Sequence, residues 1–131
     1  MKIEKYNQRD HEQQLIDMLL KEGKEWGCYT TKNVIEKYKQ ALINSITYVA
    51  IEDNVVVGYS RSIDDNGFYI YICDLLVAKA YRNKKIGKYL VEQLCIDYLT
   101  YTTYVMSDAD GFYIKKGYKR EGSVFEVTKS N

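Results

Sequence analysis

Leu75-Leu76-Val77-Ala78-Lys79-Ala80-Tyr81-Arg82-Asn83-Lys84-Lys85-Ile86-Gly87-Lys88-Tyr89-Leu90 decides how this chain is read. An apolar strand runs out at Val77, a short polar loop follows, and a helix begins. From Lys79 to Val91 there are five cations (Lys79, Arg82, Lys84, Lys85 and Lys88) and no acid. A helix N-terminus carries free N–H groups and partial positive charge, so acids are the usual residues there. Each cation placed there is unfavourable by roughly 0.3–1 kcal/mol. Two readings are open: a solvated basic loop before an ordinary helix, or a site whose charge is completed by a bound anion such as a phosphate. Gly87 permits close backbone approach in the first turn. The stretch is not a P-loop, because Tyr89 follows Gly87-Lys88 and Arg stands at position 82.

Working outward, Phe68 to Val77 is a long apolar run with Tyr and Ile and reads as a central strand. Lys84 to Tyr98 is an amphipathic helix, with Ile86, Leu90, Leu94 and Tyr98 on one stripe. Asp97 falls near that stripe and weakens the pattern at the last turn. Upstream, Ile46–Ile51 and Val55–Ser60 form a hairpin around Asp53-Asn54, and Asp65-Asn66-Gly67 signals a second turn. Before them lie a short strand, Lys2–Tyr6, and a helix from an Asp10 N-cap to about Lys21, ended by Gly23. A loop from Gly27 to Thr31 and a helix from about Lys32 complete the N-terminal part. Downstream, Thr102–Met106 reads as a strand and Ala109–Lys116 as a short helix. Tyr118–Arg120 and Val124–Thr128 read as closing strands. The order predicts a mixed α/β (α+β) layer fold with one parallel crossover through the Lys84 helix.

The 131 residues fit one domain spanning 1–131, long enough for a hydrophobic core without disulfide staples. With a net charge of +1, a global electrostatic grip on nucleic acid or acidic membrane is not expected. No apolar run suggests a signal peptide or membrane span, and a cytoplasmic location is expected. Cys28, Cys73 and Cys95 read as reduced, mostly buried thiols. A single histidine, His11, and no Cys-x-x-Cys leave little from which to build a metal site.

On Arg82-Asn83-Lys84-Lys85-Ile86-Gly87 the chain resembles the acyl-CoA signature of the GNAT superfamily of N-acetyltransferases, Arg/Gln-x-x-Gly-x-Gly/Ala after a strand ending in Val. Phe112-Tyr113-Ile114-Lys115-Lys116-Gly117-Tyr118 resembles the family's second signature, Phe-Tyr-x-x-x-Gly-Phe/Tyr. Lys85 departs from the first pattern, standing where the family has its first glycine. The resemblance implies a mostly antiparallel sheet of six to seven strands with about four helices, splayed into a V between its two central strands. It implies acetyl-CoA as co-substrate, no metal, and transfer of the acetyl group directly to a primary amine of a small molecule or peptide. The chain would act as a monomer or homodimer. By the same resemblance the backbone of Leu76 and Val77 would pair with the pantetheine arm. The N–H groups of Asn83, Lys84, Lys85, Ile86, Gly87 and Lys88, with the Arg82 side chain, would take the pyrophosphate.

Tyr113 matches the family's acid position, and a phenol can donate to a departing thiolate. The alternative for Tyr113 is core packing. Asp74 is the first candidate for the base that deprotonates the amine, because a carboxylate inside an apolar strand must be paired or useful. Its alternative is a structural hydrogen bond. Glu52 and His11 follow, both expected to face water. Trp26 and Tyr29, in the loop between the first two helices, would line the acceptor pocket or plug the edge of the core. Tyr69 and Tyr71 alternate on the central strand and would face the same cleft. A non-catalytic acyl-CoA-binding module on the same fold is the competing reading, and a nucleic-acid-binding domain the third. Near-neutral charge and the lack of an RNP-like motif weigh against the third.

Overall fold

Alternating β-branched and aromatic residues build five strands, and the computed structural model, which describes residues 1–130, joins them in one sheet of order β1-β2-β3-β4-β5. These are β1 (Lys2–Lys5), β2 (Ile46–Glu52), β3 (Val55–Asp64), β4 (Tyr69–Val77) and β5 (Thr102–Val105). The helices are α1 (Gln8–Glu22), α2 (Gly27–Thr30), α3 (Ile35–Asn44), α4 (Ile86–Asp97) and α5 (Asp110–Lys115). β1 to β4 pair antiparallel. β5 is parallel to β4, joined to it through α4, as the sequence predicts. No helix of the described residues is long and apolar enough to cross a membrane.

The turns form for local reasons. Asp53 and Asn54 take φ values of 50° and 64°, the two-residue geometry that matches strand twist. Asp65 Oδ1 accepts from the N–H groups of Phe68 and Tyr69 at 2.9 and 2.8 Å and so closes the second hairpin. The cap of α1 is Asn7 rather than Asp10. The Asn7 side-chain oxygen accepts from the Asp10 N–H at 3.3 Å, which puts Asp10 in the first turn. The segment from Gly27 to Thr31, expected as loop, is mostly helical: Gly27–Thr30 form α2, directly after a 3₁₀ turn at Lys24–Trp26.

The sheet is packed on both faces. α1 and α3 cover one with Leu15, Leu19, Tyr38 and Leu42, against Val49, Tyr59 and Leu76. α4 covers the other with Ile86, Leu90 and Leu94, against Val57, Ile70 and Ile72. Burial of each such leucine contributes about 1.5–3 kcal/mol. Asp97 interrupts the α4 stripe because it accepts a hydrogen bond from the hydroxyl of Tyr48, which reaches it from β2.

A bulge sets the geometry of β4. Arg61 pairs with Asp74 and Ser62 with Ile72, so Cys73 has no partner on β3. The extra residue shifts the alternation. Ile70 and Ile72 face α4 before it, as do Leu75 and Val77 after it. Asp74 and Leu76 therefore turn to the α1/α3 side. Pairing with β5 stops at the same place, with Ile72 and Val105 as the last partners. β4 then runs on to Val77 alone on that side, so the splay lies between β4 and the edge strand β5 rather than between two central strands.

Two expected strands are absent, and the sheet has five strands and the fold five helices instead of six to seven and about four. Tyr118–Arg120 and Val124–Thr128 form no strand. Residues 119–130 are exposed throughout and Val124, Phe125 and Val127 cover no face, so nothing offsets the entropy of ordering them. The thiols also differ from expectation: Cys28 and Cys95 are exposed and Cys73 half-buried, all three free. His11 is buried, not solvent-facing. Its Nδ1 accepts from the Asn7 N–H at 2.8 Å, and its Nε2 lies 3.3 Å from Glu4. Glu52 ends β2 in an ion pair with the N-terminal amine at 3.6 Å.

Candidate active site

The strand-to-helix junction is built by backbone more than by side chains. Ala78 N–H closes on the Val57 carbonyl at 2.8 Å, and Lys79–Tyr81 make one 3₁₀ turn. Asn83 and Lys85 then take φ values of 66° and 65°, both left-handed. Lys85 directly precedes α4, no side chain caps that end, and no acid lies in its first turn. The leading N–H groups of a twelve-residue helix are thereby left without a side-chain acceptor. Lys85, at the motif's first glycine position, holds the conformation a glycine adopts freely, which costs a lysine about 1–2 kcal/mol. Lys85→Gly is therefore expected to keep the loop and raise unfolding stability by about 1 kcal/mol, read by urea denaturation. A loss of stability would mean that the lysine side chain holds the junction.

Two glycines set close approaches. A Cβ on Gly87 would lie 3.1 Å from the Phe112 ring, so the two sequence motifs touch there. A Cβ on Gly58 of β3 would lie 3.0 Å from the Leu76 carbonyl oxygen, at the unpaired end of β4. Sequence reading passed over Gly58, since nothing local marks a glycine that a neighbouring strand requires.

Between β4 and α5 the splay opens into a cleft of about 570 Å³. Leu76, Val77, Arg82, Asn83, Lys85, Ile86, Gly87 and Tyr113 of the predicted set line it. Leu75, Phe112, Asp108, Lys115 and Lys116 line it as well, and were not predicted. Lys84 and Lys88 do not. Lys84 Nζ lies 5.4 Å over the Tyr81 ring. Arg82 is already engaged: its Nε donates to the Val77 carbonyl at 2.9 Å and its Nη2 to Glu22 at 3.0 Å. Its other guanidinium N–H groups make no hydrogen bond among the described residues. Tyr113 packs edge-on against Phe112 at 4.9 Å between centroids. Burial pushes the Tyr113 phenol up to about 12, helped by the charge of Asp108 and by Tyr118.

Asp74, Trp26 and Tyr29 lie elsewhere, on the α1/α3 side. The Asp74 carboxylate is buried and accepts from Tyr29 at 2.7 Å, Tyr38 at 2.8 Å and Arg61 Nε at 2.6 Å. Tyr38 and Tyr59 share a further hydrogen bond at 2.7 Å. Tyr29 stacks on Tyr38 at 4.1 Å, and Arg61 lies 5.4 Å from the Tyr38 ring. Burial, then Asp74, pushes the Tyr29 phenol up to about 12 and Tyr38 higher still. Burial alone would lower the Arg61 pKa, but its hydrogen bond and charge pairing with Asp74 more than reverse this. Trp26 packs on Tyr59 at 6.2 Å and plugs the edge of the core. Tyr69 and Tyr71 are part-exposed on the same sheet face and do not line the cleft.

The model of the acetyltransferase (GNAT) domain matches residues 44–120, which includes both motifs and the cleft between them. An uncharacterised N-acetyltransferase of Pyropia yezoensis is 27% identical over 100 residues, 69% of this chain and 58% of that protein. The chain thus spans little more than half the length of that curated relative. A GNAT family acetyltransferase of Streptococcus pneumoniae superposes with a TM-score of 0.71 at 20% identity, covering 98% of each chain. An aminoglycoside acetyltransferase from an uncultured soil sample superposes at 0.72 with 23% identity, covering 99% of this chain and 100% of its own. Those likenesses speak for the fold. The sequence match extends over more than half of the chain, which belongs to the GNAT family of acetyltransferases.

Proposed function

We propose that residues 1–131 act as one N-acetyltransferase domain that moves an acetyl group from acetyl-CoA to a primary amine. The observation that carries this is the meeting of three elements in one cleft: the uncapped start of α4, the unpaired edge of β4 at Leu76 and Val77, and the Tyr113 phenol. The donor set fits a diphosphate. Backbone N–H groups of Asn83, Lys85, Ile86 and Gly87, which line the cleft, would take it together with the free donors of Arg82, those of Lys84 and Lys88 would assist from its margin, and Lys85 adds charge. Leu76 and Val77 offer strand-edge backbone to an amide-bearing arm, with an N–H there positioned to polarise a thioester carbonyl. Acetyl-CoA supplies the activated acyl carbon and the thiolate leaving group. Tyr113 stays protonated at neutral pH and donates a hydrogen bond toward the sulfur position.

Asp74 takes a positioning role in this reading rather than that of base. Its carboxylate already accepts three hydrogen bonds and lies on the far side of the sheet from α4. Among the described residues, the carboxylate that lines the cleft is Asp108. It is the group we assign to accept the amine proton, directly or through water.

Calorimetry with CoA and thiol release from acetyl-CoA over a panel of amines test the proposal. Binding in the micromolar range together with amine-dependent release is expected. Binding without release across the panel would favour an acyl-CoA-sensing module, and no heat of binding would overturn both readings.

A further inference from the structure

Glu22 is the last residue of α1, and Gly23, at φ 92° and ψ −149°, ends the helix behind it. A carboxylate is locally unfavourable there. The C-terminus of a helix carries partial negative charge, and a cation is the usual resident. The Glu22 side chain is also only 9% exposed, which a charged group tolerates when it is paired. Its partner is Arg82, whose Nη2 donates to Glu22 Oε1 at 3.0 Å. The two residues are 60 positions apart, and their ion pair joins the end of α1 to the junction before α4.

This contact decides how well Arg82 is held. Its Nε donates to the Val77 carbonyl at 2.9 Å, and about that single contact the guanidinium plane can swing. The second anchor, at Nη2, stops the swing. The nearly covered Glu22 is the fixed member of the pair. Arg82 is 43% exposed and lines the cleft, so without the carboxylate its long side chain would sample several rotamers in water.

Two effects oppose each other at Glu22. Its charge repels an anionic ligand, which works against binding. Its hydrogen bond orders the arginine in advance, which works for binding. Around a guanidinium this exposed, water and salt screen the repulsion. Ordering a free arginine at the moment of binding lowers affinity by roughly two- to tenfold. Preorganisation is the larger effect.

We propose that Glu22 is a positioning residue of the cofactor site, presetting the Arg82 guanidinium for the diphosphate of CoA. It does not line the cleft and acts through Arg82. This rests on the transferase reading above, in which Arg82 takes the pyrophosphate.

The test is a double-mutant cycle read by calorimetry with CoA, using Glu22→Ala, Arg82→Ala and the two combined. Glu22→Ala should weaken CoA about fivefold where Arg82 is present, and by less than about 1.5-fold where Arg82 is already alanine. Glu22→Gln keeps an oxygen that accepts from Nη2 and should bind CoA within about twofold of the unaltered protein. Thermal unfolding gives the folded fraction of each variant, and Glu22→Leu repeats the cycle if Glu22→Ala does not fold. An equal loss in the Arg82→Ala background would make Glu22 merely structural and overturn the proposal. Unchanged or tighter CoA binding in Glu22→Ala would also overturn it, with the transferase left standing. No CoA binding by the unaltered protein would overturn both.

Discussion

Tyr113→Phe should lower turnover by about 100-fold while the affinity for acetyl-CoA stays within about twofold. The phenol lines the cleft beside Phe112, and burial pushes it up to about 12. Against a thiol near 8.5, such a group does not surrender its proton completely. In the proposed reaction it would supply a fixed donor aimed at charge that grows as the carbon–sulfur bond breaks. That stabilisation exists in the transition state and is nearly absent in the ground state, so its loss belongs in kcat. Removing one such donor elsewhere costs about 100- to 1,000-fold, and a part-exposed cleft sits at the lower end. Steady-state kinetics with direct measurement of acetyl-CoA binding gives the two numbers. A second signature is the pH profile: with the phenol titrating near 12, the unaltered protein should show no Tyr113-dependent decline below pH 10. Unchanged turnover in the variant would return Tyr113 to a packing role.

The second large effect concerns stability. Asp74→Asn should destabilise the fold by about 3 kcal/mol, or roughly 10 °C in Tm. The carboxylate is 5% exposed and its partner Arg61 is largely covered, so removing the negative charge strands a guanidinium beside the stacked rings of Tyr29 and Tyr38. Breaking one side of such a pair costs about 3–5 kcal/mol, and the remaining exposure of Arg61 favours the lower figure. Tyr29 loses its charged acceptor as well, and with it α2 loses its tether to β4. Calorimetric unfolding measures the loss. The pH–rate profile of the same variant separates this role from chemistry: a profile that keeps its midpoint supports positioning, and a lost acidic limb would reinstate Asp74 as the base.

How far the sequence could be read depended on whether the signal was local. The junction at Arg82–Lys88 was legible because its charges and its glycine lie in one run, and α4 because its stripe repeats every fourth residue. The left-handed backbone at Lys85 was not, since lysine carries no mark of that conformation. Asp74 stood out as a carboxylate in an apolar strand, but its partners come from positions 29, 38 and 61, and no spacing rule joins those numbers. Gly58 and Asp108 escaped notice for the same reason. The C-terminal pattern misled in the opposite direction. Val124, Phe125 and Val127 have strand-forming side chains, but a strand also needs a neighbour, and composition says nothing about where one is.

The unpaired Cys73 has a mechanical consequence. Were β5 to extend past Val105 and zip along β4, its next residues would keep the old alternation while β4 had already changed phase. Ser107 would point toward α4 beside an Asp74 that points away. Every further rung would set side chains on opposite faces, so closure gains no continuous packing. The slot is thus wedged open by a one-residue mismatch, and a ligand entering it meets a standing gap instead of prising strands apart.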